Sequence, residues 1–300
     1  MAGGLKEVRE RITSVNSTQQ ITKAMKMVSA AKLKKASDAI TQMRPYTLKL
    51  QSMLSHIISS LGAGEDLPSL AFAEQRDIHK VLIVLVTSDR GLAGAFNANL
   101  VKKANYLLGH SYASQAEKGN VDILTIGKKG FDAFKKSGLK VDNTYGGLFQ
   151  DLSFEQSAEV VDQLLAIFRE GKYDAIDVVF GEFKNAATQV IQSERFLPIN
   201  LEYRGLNEAE MKFRPDYIFE PNKADLLEVL VPKILKTQFY RYLLDNNASE
   251  HGARMMAMEQ ATENANDLLK ELKLSYNRAR QASITKEISE IVGGVVALEG

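Results

Sequence analysis

Apolar residues recur every three and four positions from Leu5 to Leu61, and the frame holds its phase throughout. One seam line runs through Leu5, Ile12, Gln19, Lys26, Leu33, Ile40, Thr47, Leu54 and Leu61. Its companion runs through Val8, Val15, Thr22, Ser29, Ala36, Met43, Leu50 and Ile57. This is coiled-coil spacing. No glycine and only Pro45 interrupt it, and because the frame stays in phase beyond the proline, at most a local kink is expected there. A helix over 5–61 would span roughly 85 Å. A compact body of this length has a radius of gyration near 19 Å. The helix is therefore expected to protrude from the rest of the chain.

The seam has a polar gap. Gln19, Thr22, Lys26 and Ser29 fill four consecutive core positions, while Ile21, Met25 and Val28 fall on the other side. Apolar residues left outside at helical spacing mark an interface, so this stretch is expected to face another protein.

The C-terminal segment is a second long helical pattern. It reads as divided at Asn246-Asn247-Ala248-Ser249-Glu250-His251-Gly252, with His251 in a loop. Before that point Val231, Leu235, Phe239 and Tyr242 form an apolar face. After it Met255, Met258, Thr262, Ala265, Leu269, Leu272, Tyr276 and Ala279 alternate by three and four, and Ile284, Ile288, Ile291 and Val295 follow with shifted phase. The two terminal patterns are natural partners for each other and, joined through the middle of the chain, would pair antiparallel.

Between them glycine becomes frequent and strands alternate with helices. Val81–Val86 is an unbroken apolar run of strand length, and Val121–Ile126 reads as a second strand, Ala175–Phe180 as a third and Ala187–Leu197 as a fourth. Helical patterns start near Asn97 and cover about Lys128–Lys136 and Phe154–Glu170. Alternation of this kind gives a mostly parallel sheet. The expected organisation is an N-terminal long helix over 1–76, an α/β domain over 77–208 and a C-terminal long helix over 209–300.

Composition removes several chemistries. With no cysteine, disulfides, zinc-thiolate sites and thiol catalysis are excluded. Four histidines, His56, His79, His110 and His251, lie too far apart for a paired metal spacing. No run of 18 apolar residues offers a membrane span. Met1-Ala2-Gly3-Gly4 leads straight into the helical pattern, so no targeting segment is expected and the reading is of a cytosolic protein in a bacterial setting. Thr87-Ser88-Asp89-Arg90-Gly91-Leu92-Ala93-Gly94, after the first strand, resembles a nucleotide turn but lacks the third glycine of the dinucleotide fingerprint. The structural reading is a tight turn in which Ser88 or Asp89 bonds freed helix amides. The alternative is a nucleotide-binding enzyme using the Ser88-Asp89-Arg90 loop.

Charge is unevenly placed. The chain carries 38 basic and 37 acidic residues, a net charge of +1. Within 5–61 the basic residues outnumber the acidic ones ten to three, with Lys23, Lys26, Lys32, Lys34 and Lys35 close together in sequence. This pattern suits an acidic protein partner or a phosphate backbone. The absence of aromatic residues for base stacking among them weakens the second option, a coiled-coil adaptor on nucleic acid.

Three runs then carry a family resemblance. Leu5–Ile12 with Thr18-Gln19-Gln20-Ile21-Thr22-Lys23-Ala24-Met25-Lys26-Met27-Val28, the Thr87–Gly94 loop, and Tyr276-Asn277-Arg278-Ala279-Arg280-Gln281-Ala282-Ser283-Ile284-Thr285-Lys286-Glu287-Ile288 resemble the gamma subunits of bacterial F-type ATP synthases, in the same order along nearly the whole chain. The resemblance implies an α/β fold plus a long antiparallel coiled coil of the N- and C-terminal helices, with a Rossmann-like middle domain. It implies a non-catalytic rotary shaft without cofactor or metal that couples proton flow through the membrane ring to the beta-subunit catalytic sites. The partners implied are three alpha and three beta subunits, an epsilon subunit and a ring of c subunits, with one copy of this chain per complex and no nucleic acid. The location implied is the cytoplasmic face of the bacterial plasma membrane. By resemblance Lys23, Lys26, Lys32, Lys34 and Lys35 would face acidic loops of beta, Arg280, Gln281 and Thr285 would meet beta near the catalytic head, and Asp216, Tyr217 and Glu220 would form the foot by the c ring and epsilon.

Overall fold

The computed structural model describes residues 2–59, 72–73, 76–199 and 223–299. The elements in chain order are α1 (Ala2–Ser59), β1 (Val81–Val86), α2 (Phe96–Tyr106), α3 (Ala113–Glu117), β2 (Val121–Ile126), α4 (Lys128–Phe134), β3 (Lys140–Asp142), α5 (Phe154–Arg169), β4 (Ala175–Phe183), β5 (Gln189–Leu197) and α6 (Lys223–Glu299). A π-helical turn, Leu107–Ser111, follows α2. Contacts divide the chain into two compact units, Met1–Ala30 with Arg254–Gly300 and Ala31–Ala253.

The larger unit is built on a five-stranded sheet ordered β3-β2-β1-β4-β5. β3, β2, β1 and β4 run parallel, and β5 runs antiparallel to β4. The direction of β5 follows from its short link. Asn185 Oδ1 accepts from the amides of Ala187 at 3.0 Å and Thr188 at 2.7 Å, folding the chain into a hairpin too tight for a crossover. The four expected strands are all present. β3 was absent from the expectation because three residues, two of them exposed, leave no readable periodicity.

The unbroken apolar run of β1 reflects burial on both faces. Leu82, Val84 and Val86 point into a core shared with α5 and α6, including Val160, Leu164, Phe168, Leu235 and Phe239. Val81, Ile83 and Leu85 point the other way, onto Phe96, Leu100, Ala104 and Phe134 of α2 and α4. α5 begins where Ser153 Oγ accepts from the Gln156 amide at 3.3 Å, an N-cap, and its apolar stripe supplies the first core. Within this unit Ala36 and Ile40 of α1 pack on Leu244 and Ala248 of α6.

α1 passes through Pro45 unbroken, with the proline on the exposed face. α6 is likewise continuous through Asn246–Gly252, so the expected division is corrected. His251 is helical and buried, not a loop residue. The polar residues and glycine that suggested a break face the sheet. Asn246 Oδ1 accepts from the Gly181 amide at 3.0 Å, Ser249 Oγ donates to the Gly181 carbonyl at 3.0 Å, and a Cβ on Gly252 would lie 3.3 Å from the Ala186 carbonyl.

Candidate functional site

The smaller unit consists of the first residues of α1 and the last of α6, paired antiparallel. Each step up α1 meets a step down α6. Arg9 Nη2 donates to Tyr276 Oη at 2.8 Å, Gln19 Nε2 donates to Asn266 Oδ1, Thr22 Oγ1 and Thr262 Oγ1 share a hydrogen bond of 2.8 Å, and Lys26 Nζ meets Glu259 Oε1 at 2.6 Å. Three residues of the polar gap in the α1 seam, Gln19, Thr22 and Lys26, thereby find partners within the chain. The physical reason is matched polarity. A polar group taken from water costs free energy unless bonded, and Gln19, Thr22 and Lys26 each have a counterpart at the same level of α6. Small residues permit the approach, with Ser29 and Ala265 both buried.

Several apolar residues face outward. Ile21, Met27 and Val28 are about 60% exposed, as are Leu274, Ile288 and Ile291. Met25 departs from the expectation. It is half-buried, because it flanks the seam residue Lys26. The shifted phase of Ile284, Ile288, Ile291 and Val295 has a simple cause. In this register residues beyond Ser283 lie opposite positions before the start of α1, and positions 284–295 are all exposed.

The expected contact residues divide by environment. Lys23 is exposed in the smaller unit, as are Arg280, Gln281 and Thr285. Lys26 is half-buried and holds Glu259. In the larger unit Lys32, Lys34 and Lys35 are exposed. Asp216, Tyr217 and Glu220 lie outside the described residues. Sequence reasoning did not single out Glu259 or Asn266. Reading polar residues on both helices together, with the antiparallel register imposed, would have found them.

The loop after β1 is spent on structure. Ser88 Oγ donates to the Arg90 carbonyl at 2.6 Å, and Asn97 Nδ2 donates to Ser88 Oγ at 2.7 Å. Asp89 Oδ1 accepts from the Lys128 amide at 3.2 Å, and Thr87 Oγ1 accepts from the Gly130 amide at 2.8 Å. The freed amides bonded here are those at the start of α4. Asp89 fulfils the expected role, whereas Ser88 ties its own loop. Burial pushes the Asp89 carboxyl above its ordinary value, against the Lys128 amide and Arg90. Gly127, at φ +99°, brings the chain so close that a Cβ would lie 2.2 Å from the Thr87 carbonyl. Among the described residues no group of histidine, aspartate and glutamate could hold a metal.

In an open α/β sheet a ligand sits where strand order reverses, here between β1 and β4. β1 pairs with β4 only as far as Leu85↔Val179, so β4 runs on past its neighbour. That crevice is filled by the protein. The ring of Phe96 lies 2.6 Å from where a Gly181 Cβ would be, Ser249 lies 3.2 Å from it, and Asn246 and Ser249 take both Gly181 backbone groups. The place a nucleotide would occupy seats a helix instead.

A family model described as ATP synthase matches residues 4–298. The chain is 54% identical over 297 residues to the ATP synthase gamma chain of Cytophaga hutchinsonii, covering 98% of each chain. It is 50% identical over 296 residues to that of Flavobacterium johnsoniae, covering 99% of each. Among solved structures it resembles a chain of the Euglena gracilis mitochondrial ATP synthase in its OSCP/F1/c-ring form, with a TM-score of 0.67 and 21% identity over 99% of this chain and 95% of that one. A chain of the Tetrahymena thermophila mitochondrial ATP synthase central stalk and c-ring gives a TM-score of 0.57 and 24% identity over 80% and 99%. These two likenesses show the shared fold.

Proposed function

The chain belongs to the ATP synthase gamma chain family, and from that premise we propose how its surfaces serve the central shaft of the complex. The shaft couples proton flow through the membrane ring to ATP synthesis or hydrolysis on beta, and the chain itself is a non-catalytic subunit. It works within the membrane-associated F1 assembly together with the c-ring rotor. Among the described residues no helix is long and apolar enough to cross a membrane. The finer arrangement proposed is one copy at the centre of three alpha and three beta subunits, with epsilon beside it, on the cytoplasmic face.

The observation that carries this reading is the apolar surface of the helical pair. Between Gln19 and Lys26 its seam is bridged by polar pairs, while Ile21, Met27, Val28 and the stretch Ile284–Val295 present apolar side chains outward. Such a pair fits a sheath of other chains, which would cover those side chains. A turning shaft also needs contacts that break at every step. Exposed ion pairs and hydrogen bonds of about 0–1 kcal/mol each meet that requirement, whereas a large buried apolar contact would hold one angle. Lys23, Lys32, Lys34 and Lys35 are proposed to meet acidic loops of beta, and Arg280, Gln281 and Thr285 to make polar contacts near the catalytic head. Lys26 contributes through its pair with Glu259. Asp216, Tyr217 and Glu220 are proposed as the foot.

The test is reconstitution with alpha and beta subunits. One copy per complex is expected, and a variant carrying Lys23→Gln, Arg280→Gln and Gln281→Ala should assemble yet lose most proton-driven synthesis. Full synthesis in that variant overturns the residue roles, and more than one copy per complex overturns the shaft arrangement.

A further inference from the structure

One cavity in the larger unit has no part in anything described so far. It measures about 170 Å³ and lies where α1, β4, β5 and α6 meet, with apolar walls such as Ile40 and Leu244. Five charged side chains line it: Arg44 from α1, Glu182 from β4, Glu194 from β5, and Arg241 and Asp245 from α6. Three carboxylates against two guanidiniums leave one negative charge in excess. Two of the carboxylates have donors. Tyr242 Oη donates to Glu194 Oε2 at 2.6 Å, with Arg241 Nη2 3.8 Å from the same oxygen, and Gln192 Nε2 donates to Glu182 Oε2 at 3.1 Å. Asp245 is the most deeply placed of the three, at 8% exposure, while Glu182 and Glu194 are half-buried. A charge enclosed in this way is costly, and its relief is either a counter-ion or a proton.

We propose that this cavity is a proton-operated latch: Asp245 takes up one proton, which removes the excess charge and tightens the seat of the Ile40–Leu48 stretch of α1 on β4, β5 and α6. The electrostatics agree with the geometry. Burial pushes the Asp245 carboxyl up to about 6. Glu182 and Glu194 push it the same way, and Arg241 and Arg44 oppose them. The direction of the linkage follows. A carboxyl whose value is higher in the closed arrangement than the ordinary 3.8 stabilises that arrangement fully below the ordinary value. The stabilisation is lost as pH rises through about 6. Arg44, the cation that α1 brings to the cavity lining, favours the ionised carboxyl and so opposes the latch, and the burial of Asp245 outweighs it.

The experiment is amide hydrogen exchange on the full chain at pH 5.0 and 7.5, corrected for the intrinsic pH dependence of exchange, read on peptides covering Ile40–Leu48. The expected result is about tenfold greater protection at pH 5.0, from a carboxyl titrating near 6 when closed and near 3.8 when open. Asp245→Asn, which keeps the shape and removes the titration, should hold the acid level of protection at both pH values. Carbon-13 NMR of the Asp245 carboxyl should show a midpoint about 6 in the wild-type chain, and Glu182→Gln, which deletes a neighbouring negative charge, should lower that midpoint. A midpoint below about 4.5 overturns the proposal, as does protection that does not change with pH or a pH dependence that survives Asp245→Asn. If that variant fails to fold, the wild-type titration and exchange decide between the two outcomes.

Discussion

Removing the side chain of Asn246 should loosen the seat of α6 on the sheet. Its Oδ1 is the acceptor for the Gly181 amide, a group on the part of β4 that continues beyond its pairing with β1. Asn246 is fully buried, so Asn246→Ala leaves that amide without its partner and opens a small void. An orphaned buried donor costs about 1–3 kcal/mol. Against this, Asn246 Nδ2 itself has no hydrogen-bond partner, and deleting it relieves part of the cost. The net expectation is about 1–2 kcal/mol. Ser249→Ala removes the donor to the Gly181 carbonyl, which should cost about 1 kcal/mol, since a carbonyl tolerates under-satisfaction better than an amide. Both changes act on one residue, so the double variant should fall short of the sum. The assay is hydrogen exchange of the Gly181 amide in the full chain, where about 1.4 kcal/mol reads as a tenfold loss of protection. Thr13→Ala, at an exposed site, serves as control. Unchanged Gly181 protection in Asn246→Ala would refute the argument that α6 satisfies the sheet at its switch point.

Other outcomes follow from the same contacts. A double-mutant cycle on Lys26 and Glu259, both about 38% exposed, should give a coupling of about 0.5 kcal/mol that fades in 1 M salt; a coupling above about 2 kcal/mol would mean that the pair is effectively buried. Gly127→Ala, at φ +99° and with a Cβ 2.2 Å from the Thr87 carbonyl, should cost about 3 kcal/mol or more and show as a lowered melting temperature; a melt within a degree of wild type would contradict the close approach of the two strand ends. Ile288→Asp and Ile291→Asp, on exposed positions, should change the chain's own stability by less than about 0.5 kcal/mol while weakening capture by alpha and beta subunits; intact assembly would remove these residues from the interface.

Periodicity settled much of this protein. Strand-length patterns located β1, β2, β4 and β5, most plainly β1, because a strand buried on both faces is apolar whatever surrounds it. The heptad frame placed every seam residue of α1 from Leu5 to Leu50 on a buried or half-buried position, and the local rule of side-chain spacing needs no knowledge of the partner helix. Family motifs indicated the shaft. Tertiary structure decided the rest, for reasons of pairing that one segment cannot show. Asn246, Ser249 and Gly252 read as a break because polar residues and glycine interrupt helices in isolation. They are instead the residues that let α6 bond and approach β4. The partners of Gln19, Thr22 and Lys26 could not be read from α1, because half of each hydrogen bond lies more than two hundred positions away. The acidity of Asp245 depends first on its burial and then on Arg241, Glu182, Arg44 and Glu194, which only the packing of two helices on two strands brings to one cavity.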